Sequence, residues 1–234
     1  MHRQSPRNAP RVARTLACAA VALPVLLVAG CSSDSGGGEE AASPSASKSA
    51  SPSAAPVKFK TLPDSCKTLA KGTVKDLVPG TDNQSGKRIG TGDTTDSGTC
   101  LWSGLDKYDY RQLTVSLKRF DSDTTRGSGD AQAKAFLKQQ TEEVKSDKSN
   151  KGVKSSAVSG IGDEGTLLSY DAKKKDNKGN SEDYHEEYVL ARSANVIVSV
   201  DYEGAGFEDA KTPSSGDLKK GAEKAAKEAV KSLK

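Results

Sequence analysis

The amino-acid sequence predicts an α+β domain, with a mostly antiparallel sheet, two or three packed helices and one disulfide. Strand-like segments, in which apolar and polar residues alternate, come in pairs and do not alternate regularly with helices. Segments with helical periodicity lie before, between and after these pairs. Two cysteines, Cys66 and Cys100, fall within the same region, residues 57–234.

The first helix is predicted within residues 62–80, where apolar residues recur at helical spacing. Asp64 is placed to cap its N-terminus, and Pro79 followed by Gly80 is a typical end. Residues 82–98 are rich in Gly, Thr and Asp, which predicts a long loop.

The segments "TCLWSG" and "RQLTVSLKRF" predict two strands by their alternation. Cys100 and Trp102 share one face of the first strand, so Trp102 is predicted to lie beside the disulfide in the core. The alternative for Trp102 is contact with a ligand or partner. The later predicted elements are a helix from residue 130, a lysine-rich loop, strands at 165–170, 184–191 and 195–202, and a helix from residue 217. A hairpin at "RSA" is predicted to join the last two strands.

The N-terminus has the features of a secretory signal. Four arginines without an acidic residue precede an apolar run at 16–29, which contains Pro24. That run has about fourteen residues, whereas a helix needs about 20 to span a bilayer. Val28, Ala29 and Gly30 before Cys31 look like a lipobox. Residues 1–30 are therefore predicted to be a lipoprotein signal peptide, with a diacylglycerol on the Cys31 sulfur.

Residues 31–56 are predicted to be the lipidated cysteine followed by a disordered tether. From residue 32 to 56 all but four residues are Ser, Ala, Pro or Gly, which provide too little apolar surface to fold. The root-mean-square span of such a tether is about 25 to 30 Å. Residues 57–234 then form a single extracytoplasmic domain. An even pair of cysteines in an exported domain favours a Cys66–Cys100 disulfide over a reactive thiol.

The charge balance counts against a nucleic-acid partner. Removal of the four leader arginines from 35 basic residues leaves 31, against 31 acidic residues. The mature chain is thus formally neutral, and the basic character of the whole chain comes from the segment that is discarded.

The segment "VSGIGDEGTLL" has glycines spaced like those of a dinucleotide-binding loop. That loop must open a helix, whereas a strand-like segment follows here. Asp163 and Glu164 would also place negative charge where phosphate should lie. The segment is therefore predicted to be a tight turn leading into a strand, and no cofactor is expected.

His185 is the only histidine after the predicted signal, and it lies in the strand-like segment "DYHEEYVL". The sequence has no "GxSxG" elbow to supply a serine nucleophile, and a catalytic zinc site needs more histidines. His185 is therefore expected to be an ordinary surface residue. Glu186 and Glu187 alternate to opposite faces of the strand, which places them poorly as a catalytic pair.

Residues 121–130 begin like a calcium-binding loop. Thr125 and Arg126 stand where an oxygen ligand and the required glycine belong, so a solvated loop is expected. The sequence thus predicts no catalytic residue and no metal ligand.

The lipobox, the Ser/Ala/Pro tether, the helix-borne first cysteine, "CLW" on a strand and "GIGDEG" before another strand together resemble small actinobacterial envelope lipoproteins, a family known only as a domain of unknown function. The resemblance implies an exported, anchored, non-enzymatic α+β domain and supplies no catalytic residues.

The expected function is that of a membrane-anchored binding or accessory module of the cell envelope. Its expected partners are the membrane, through Cys31, and an envelope protein or a small ligand. The alternative is a carrier of a small ligand or lipid, for which a sizeable apolar pocket is needed. A third hypothesis is a cell-wall enzyme that uses carboxylates such as Glu186 and Glu187.

Overall fold

The computed structural model describes residues 54–90, 95–175, 179, 181–208 and 210–234. The strands are β1 (Lys87–Ile89), β2 (Ser97–Asp106), β3 (Asp109–Arg119), β4 (Lys151–Ala157), β5 (Glu164–Lys175), β6 (Ser181–Ser193) and β7 (Val196–Gly206). The helices are α1 (Lys71–Leu77), α2 (Gly129–Ser146) and α3 (Ser215–Lys231), and a single 3₁₀ turn covers Ser65–Lys67. Within the described part of the chain, the strands form one antiparallel sheet in the order β1-β2-β3-β7-β6-β5-β4.

Strand β7 lies at the centre of the sheet, and its alternation defines the two faces. Val198 and Val200 belong to the core cluster that includes α1 and α3, and we call this side the α3 face. Ile197 belongs to the cluster that includes α2, and we call that side the α2 face. Because side chains alternate along a strand, Asp201 and Glu203 follow Ile197 onto the α2 face.

The α3 face carries the larger core. Trp102 and the three apolar residues of β3, Leu113, Val115 and Leu117, pack there with α1 and α3. The buried side of α3 consists mainly of small residues, which lets the helix lie close to β6 and β7. Those residues are Leu218, Gly221, Ala222, Ala225, Ala226 and Ala229.

The α2 face has a smaller core and is only partly covered. Ala133 and Leu137 of α2 pack with Leu168, Leu190 and Ile197 of β5, β6 and β7. The neighbouring strands β2 and β3 instead present half-buried hydroxyl side chains to this side, among them Thr99, Thr114 and Ser116. A cavity opens where α2 stops covering the sheet.

The predicted fold class is confirmed, as is the disulfide, whose Cys66 and Cys100 Cα atoms lie 5.0 Å apart. The bond joins the 3₁₀ turn to β2. The "RSA" hairpin is also confirmed, because Ser193 of β6 pairs with Val196 of β7. Its turn residue Ala194 adopts a positive φ of 47°.

Three predictions of local structure are wrong. The first helix is interrupted, since the 3₁₀ turn ends at Lys67 and α1 begins only at Lys71. Asp64 nevertheless caps the 3₁₀ turn, and its carboxylate accepts a hydrogen bond from the Cys66 amide at 3.0 Å. The predicted loop at 82–98 contains β1, and the predicted lysine-rich loop contains β4.

The predicted signal peptide, Cys31 and nearly all of the tether fall outside the described residues, which begin at residue 54. In the described part, each helix is too short or too polar to cross a membrane.

Candidate functional site

The "GIGDEG" segment forms a turn that closes against the β6–β7 hairpin. Gly160 and Gly162 have φ values of 73° and 69°. A Cβ atom on Gly162 would lie 2.3 Å from the carbonyl oxygen of Arg192, so only glycine fits. The Asp163 carboxylate accepts a hydrogen bond from the Ala194 amide at 2.6 Å. The segment leads into β5 and not into a helix, as predicted.

Trp102 is part of the core, with 1% of its surface exposed. Its indole Nε1 donates a hydrogen bond to the carbonyl oxygen of Gln84 at 3.1 Å. Its edge also lines a cavity of about 480 Å³ between β2 and residues 80–83. Contact of Trp102 with a ligand or partner remains a prediction.

The acidic residues of the 121–130 loop are engaged with their own chain. The Asp121 carboxylate pairs with the guanidinium of Arg119, which Asp96 also contacts. The Asp123 carboxylate accepts hydrogen bonds from the backbone amides of Thr125 and Arg126, both at 2.8 Å. The Arg126 and Thr125 amides lower the pKa of Asp123.

His185 lies on the α3 face between two carboxylates. Its Nδ1 is 2.6 Å from Oδ1 of Asp171, and its Nε2 is 3.1 Å from Oε1 of Glu187. Only 15% of the His185 side chain is exposed, so the expectation of an ordinary surface residue is wrong. Cross-strand pairing produces the cluster, since Asp171 lies opposite His185 and Ser169 lies opposite Glu187 in β5 and β6.

In space, Ser169, His185 and Asp171 follow one another as in a serine-hydrolase triad. The Glu187 carboxylate, however, contacts both Ser169 and His185. The Ser169 hydroxyl donates to Oε1 of Glu187 at 2.8 Å, whereas it lies 3.5 Å from Nε2 of His185. The shorter contact of the Ser169 hydroxyl is thus with a carboxylate, and not with the histidine that would serve as its base in a triad. Ser215, the first residue of α3, donates to the same Glu187 oxygen at 2.9 Å. The cluster therefore ties α3 to the sheet.

Glu186 and Glu187 lie on opposite faces of β6, as predicted, but both are buried. Glu187 has no exposed surface, and Glu186 is 4% exposed. No described residue hydrogen-bonds to Oε2 of Glu187.

Three carboxylates come together on the α2 face: Glu186 from β6 and Asp201 and Glu203 from β7. One oxygen atom from each lies within 4.8 Å of the other two. The ammonium group of Lys174, from β5, contacts Glu186 at 2.9 Å and also pairs with Glu203. Gln112 of β3 donates to Glu203 at 3.1 Å. One cation thus serves two of the three carboxylates.

Asp201 is the carboxylate of this cluster that has no ion pair among the described residues. As a residue it is half-buried, but its Oδ1 is enclosed and has no hydrogen-bond partner among the described residues. Burial, together with the negative charges of Glu186 and Glu203, raises the pKa of Asp201 to about 7. Burial also raises the pKa of Glu203, although Lys174 opposes that change. The pKa of Lys174 is itself raised because its ion pairs outweigh the effect of burial.

Asp201 lines a cavity of about 310 Å³, which we call the Asp201 cavity. It lies between α2 and strands β2, β3 and β7. The side chains that surround it are mostly hydroxyl groups, with aromatic residues and Lys118 toward α2. The lining residues are Ser97, Thr99, Thr114, Ser116, Leu117, Lys118, Phe136, Gln140, Tyr188, Ser199 and Asp201.

Sequence reasoning missed this site because its residues are distant along the chain. A local signal was present in "VIVSVDYEG", where Asp201 and Glu203 interrupt an apolar strand. Charged residues rarely face a protein interior without a partner. Two acidic residues that alternate within an apolar strand therefore indicate that one face of this strand is polar and could form a site. No protein-family model matches the chain, and no curated protein matches it.

Proposed function

We propose that this chain is a lipid-anchored lipoprotein of the cell envelope that acts by binding a small polar ligand in the Asp201 cavity, and not by catalysis. The lipobox ending at Cys31 and the tether that follows support the anchor and the extracytoplasmic location. The ligand is held on a domain that reorients at the membrane surface.

The observation that carries the proposal is the unpartnered Oδ1 of Asp201 beside a cavity. Buried polar atoms in folded proteins nearly always have a hydrogen-bond partner, and an exception calls for an explanation. Asp201 also lines the cavity, so a cationic group of a ligand placed there would offset the negative charge of its carboxylate. The cavity volume of about 310 Å³ lies at the lower end of the range for small-molecule sites.

The cavity lining favours a polar ligand over a lipid. Thr114, Ser116 and Ser199 place hydroxyl groups between Asp201 and the opening toward Lys118. The Ser116 hydroxyl is hydrogen-bonded to that of Thr99 at 3.0 Å, but each hydroxyl has further hydrogen-bonding capacity. An acyl chain at this position would remove that capacity from water without replacing it, which is costly. Hydroxyls and amines on a ligand would instead form hydrogen bonds with them.

A native mass spectrum of the mature lipoprotein, purified from its own membrane, tests the proposal. We expect an additional small mass that is released on denaturation. The change Ser116→Phe, which places a ring in the cavity, should abolish this mass. Ser155→Phe, at an exposed position on the edge strand β4, should retain it.

Two results would contradict the proposal: a bare polypeptide mass from native membranes, or an additional mass that Ser116→Phe leaves in place. The second result would mean that the ligand binds to another part of the molecule.

Hydrolytic catalysis is a second candidate, favoured by the 3.5 Å distance between the Ser169 hydroxyl and Nε2 of His185. A fluorophosphonate probe labels serines whose hydroxyl is activated by a base. Because the Ser169 hydroxyl donates its shorter hydrogen bond to Glu187 and not to His185, we expect no label. Labelling that Ser169→Ala removes would establish the enzyme and overturn the non-enzymatic proposal.

A further inference from the structure

The inner end of the Asp201 cavity has excess negative charge. Glu186, Asp201 and Glu203 lie together, and among the described residues the ammonium group that pairs with this cluster is that of Lys174. Lys174 contacts Glu186 and Glu203, while Oδ1 of Asp201 has no partner among the described residues. A cationic group placed against the part of Asp201 that lines the cavity would reduce this imbalance.

The opposite end of the cavity carries a positive charge. The Lys118 ammonium lies 4.3 Å from the centroid of the Phe136 ring and 5.5 Å from that of Phe120. These rings hold the lysine at the edge of the cavity by cation–π contact. No carboxylate of the described residues lies within ion-pair distance of Lys118, so its charge is available to an anion.

The register of the sheet gives the separation of the two charges. Thr114 lies opposite Asp201, and Lys118 follows four residues later on the same face of β3. At about 3.4 Å per residue, the two ends are about 14 Å apart along the strands at the level of the backbone. Between them, Ser116 and Ser199 form a cross-strand pair of hydroxyls.

We propose that the ligand of the Asp201 cavity is a small zwitterion, with an ammonium group at Asp201 and an anionic group at Lys118. This inference rests on the binding function proposed above and names the class of ligand. The polar centre of the ligand would form hydrogen bonds, as donor and as acceptor, with the hydroxyls of Thr114, Ser116 and Ser199. A chain of three or four amino acids has the required reach, since four extended residues span at most about 13 to 14 Å.

Four probes separate the charges of such a ligand. Triglycine carries both charges, N-acetyltriglycine lacks the ammonium group, triglycine amide lacks the carboxylate, and glucose is uncharged. Each is titrated into the mature lipoprotein in detergent micelles, and the backbone amide shifts of Thr114, Ser116 and Ser199 are followed by NMR. We expect triglycine to move these signals with a millimolar dissociation constant.

Removal of a charge from either partner should weaken binding. N-acetylation should cost about tenfold or more in affinity, as should Asp201→Asn, because each removes a charge-assisted hydrogen bond. Amidation of the carboxylate and Lys118→Gln should each cost several-fold. Asp183→Asn is the matched control, because that side chain is 69% exposed and lies on the opposite face of β6. The affinity of the Asp183→Asn variant for triglycine should equal that of the wild type.

The inference is overturned if N-acetyltriglycine or glucose binds as well as triglycine, if calcium ions alone shift the same signals, or if triglycine shifts none of them. The proposed function fails separately. An additional native mass that Ser116→Phe removes, combined with no response to triglycine, would retain the binding function and reject the zwitterion. A bare native mass with no response to any probe would reject both.

Discussion

Asp201 lies in the central strand of the sheet, between the apolar residues Val200 and Tyr202 of the α3 face. Its own side chain points to the α2 face, where coverage by α2 ends. A carboxylate at this position is partly desolvated and has two other carboxylates beside it, Glu186 and Glu203. Ionisation of Asp201 is therefore energetically unfavourable in the absence of a ligand.

We predict that Asp201→Asn stabilises the domain at pH 8. Because the pKa of Asp201 is raised to about 7, the folded state binds this proton more tightly than the unfolded chain. The contribution of Asp201 to stability is thus most favourable below about pH 4, declines as pH rises to about 7, and is constant above. Asparagine does not ionise, so the variant does not lose this stability as the pH rises. We expect its free energy of unfolding at pH 8 to exceed that of the wild type by about 1 to 2 kcal/mol, a small gain because residue 201 remains partly solvated.

Urea unfolding of the wild type and Asp201→Asn at pH 4, 6 and 8 measures this effect. Asp183→Asn controls for the loss of a surface carboxylate and should change little. A gain that is the same at all three pH values would contradict the assignment of a raised pKa to Asp201.

Among the elements, α3 depends on a close approach to the sheet. A Cβ atom on Gly221 would lie 2.5 Å from Cε1 of Tyr202, whereas one on Gly216 has no neighbour within 4 Å. Alanine is otherwise favoured over glycine in a helix by about 1 kcal/mol. We therefore predict that Gly221→Ala lowers the melting temperature while Gly216→Ala, in the same helix, raises it slightly. Stabilisation by both changes would show that α3 packs less closely than described.

The disulfide connects the 3₁₀ turn to β2 across a separation of 34 residues. Loop-closure entropy gives a stabilisation of about 3.8 kcal/mol for a closure of this length. We predict that the double change Cys66→Ser and Cys100→Ser lowers the free energy of unfolding by about 2 to 4 kcal/mol, measured in urea. Reduction of the wild type should produce a similar loss. A loss under about 0.5 kcal/mol in both experiments would mean that the bond adds little to stability.

Elements with a strong apolar pattern could be predicted from the sequence, whereas exposed ones could not. Strands β3, β6 and β7 carry alternating apolar residues, and α3 has a stripe that includes Leu218, Ala222 and Ala225. Strand β4, in contrast, consists of Lys, Ser, Gly, Val and Ala at the sheet edge and is almost wholly exposed. Its conformation is imposed by pairing with β5, and local sequence does not carry that information.

The candidate site was beyond local sequence analysis for a similar reason. Lys174, Glu186 and Asp201 come from three neighbouring strands, and only the register of the sheet brings them together. The same applies to Asp171 and His185, which cross-strand pairing places opposite each other. The two glutamates of β6 were predicted to lie on opposite faces, but their burial depends on what packs above each face.

At the scale of the whole molecule, one helix on the α2 face covers a sheet that is wider than the helix. Helix α2 packs on β5, β6 and β7, and the hydroxyl-rich side of β2 and β3 remains beside it. The larger core on the α3 face, reinforced by the Cys66–Cys100 bond, stabilises the sheet. This arrangement supports a cavity without requiring a rearrangement of the core.

The proposed anchor predicts covalent lipid on Cys31. Cells grown with radiolabelled palmitate should incorporate the label into this protein, and Cys31→Ala should abolish it, because the diacylglycerol is attached to that sulfur. Cys18→Ala, within the predicted signal peptide, is the control and should not prevent labelling. Label that persists in Cys31→Ala would remove the lipoprotein assignment.

The titration of Asp201 tests the central claim most directly, because the proposed ligand site depends on an uncompensated carboxylate. The ¹³C shift of its side-chain carboxyl is followed against pH in the protein purified from its own membrane, with and without triglycine. We predict a midpoint of about 7 without ligand and a lower midpoint with triglycine bound, since an ammonium group favours the ionised form. A midpoint near 4 in both samples, the ordinary value for an aspartate, would contradict the account.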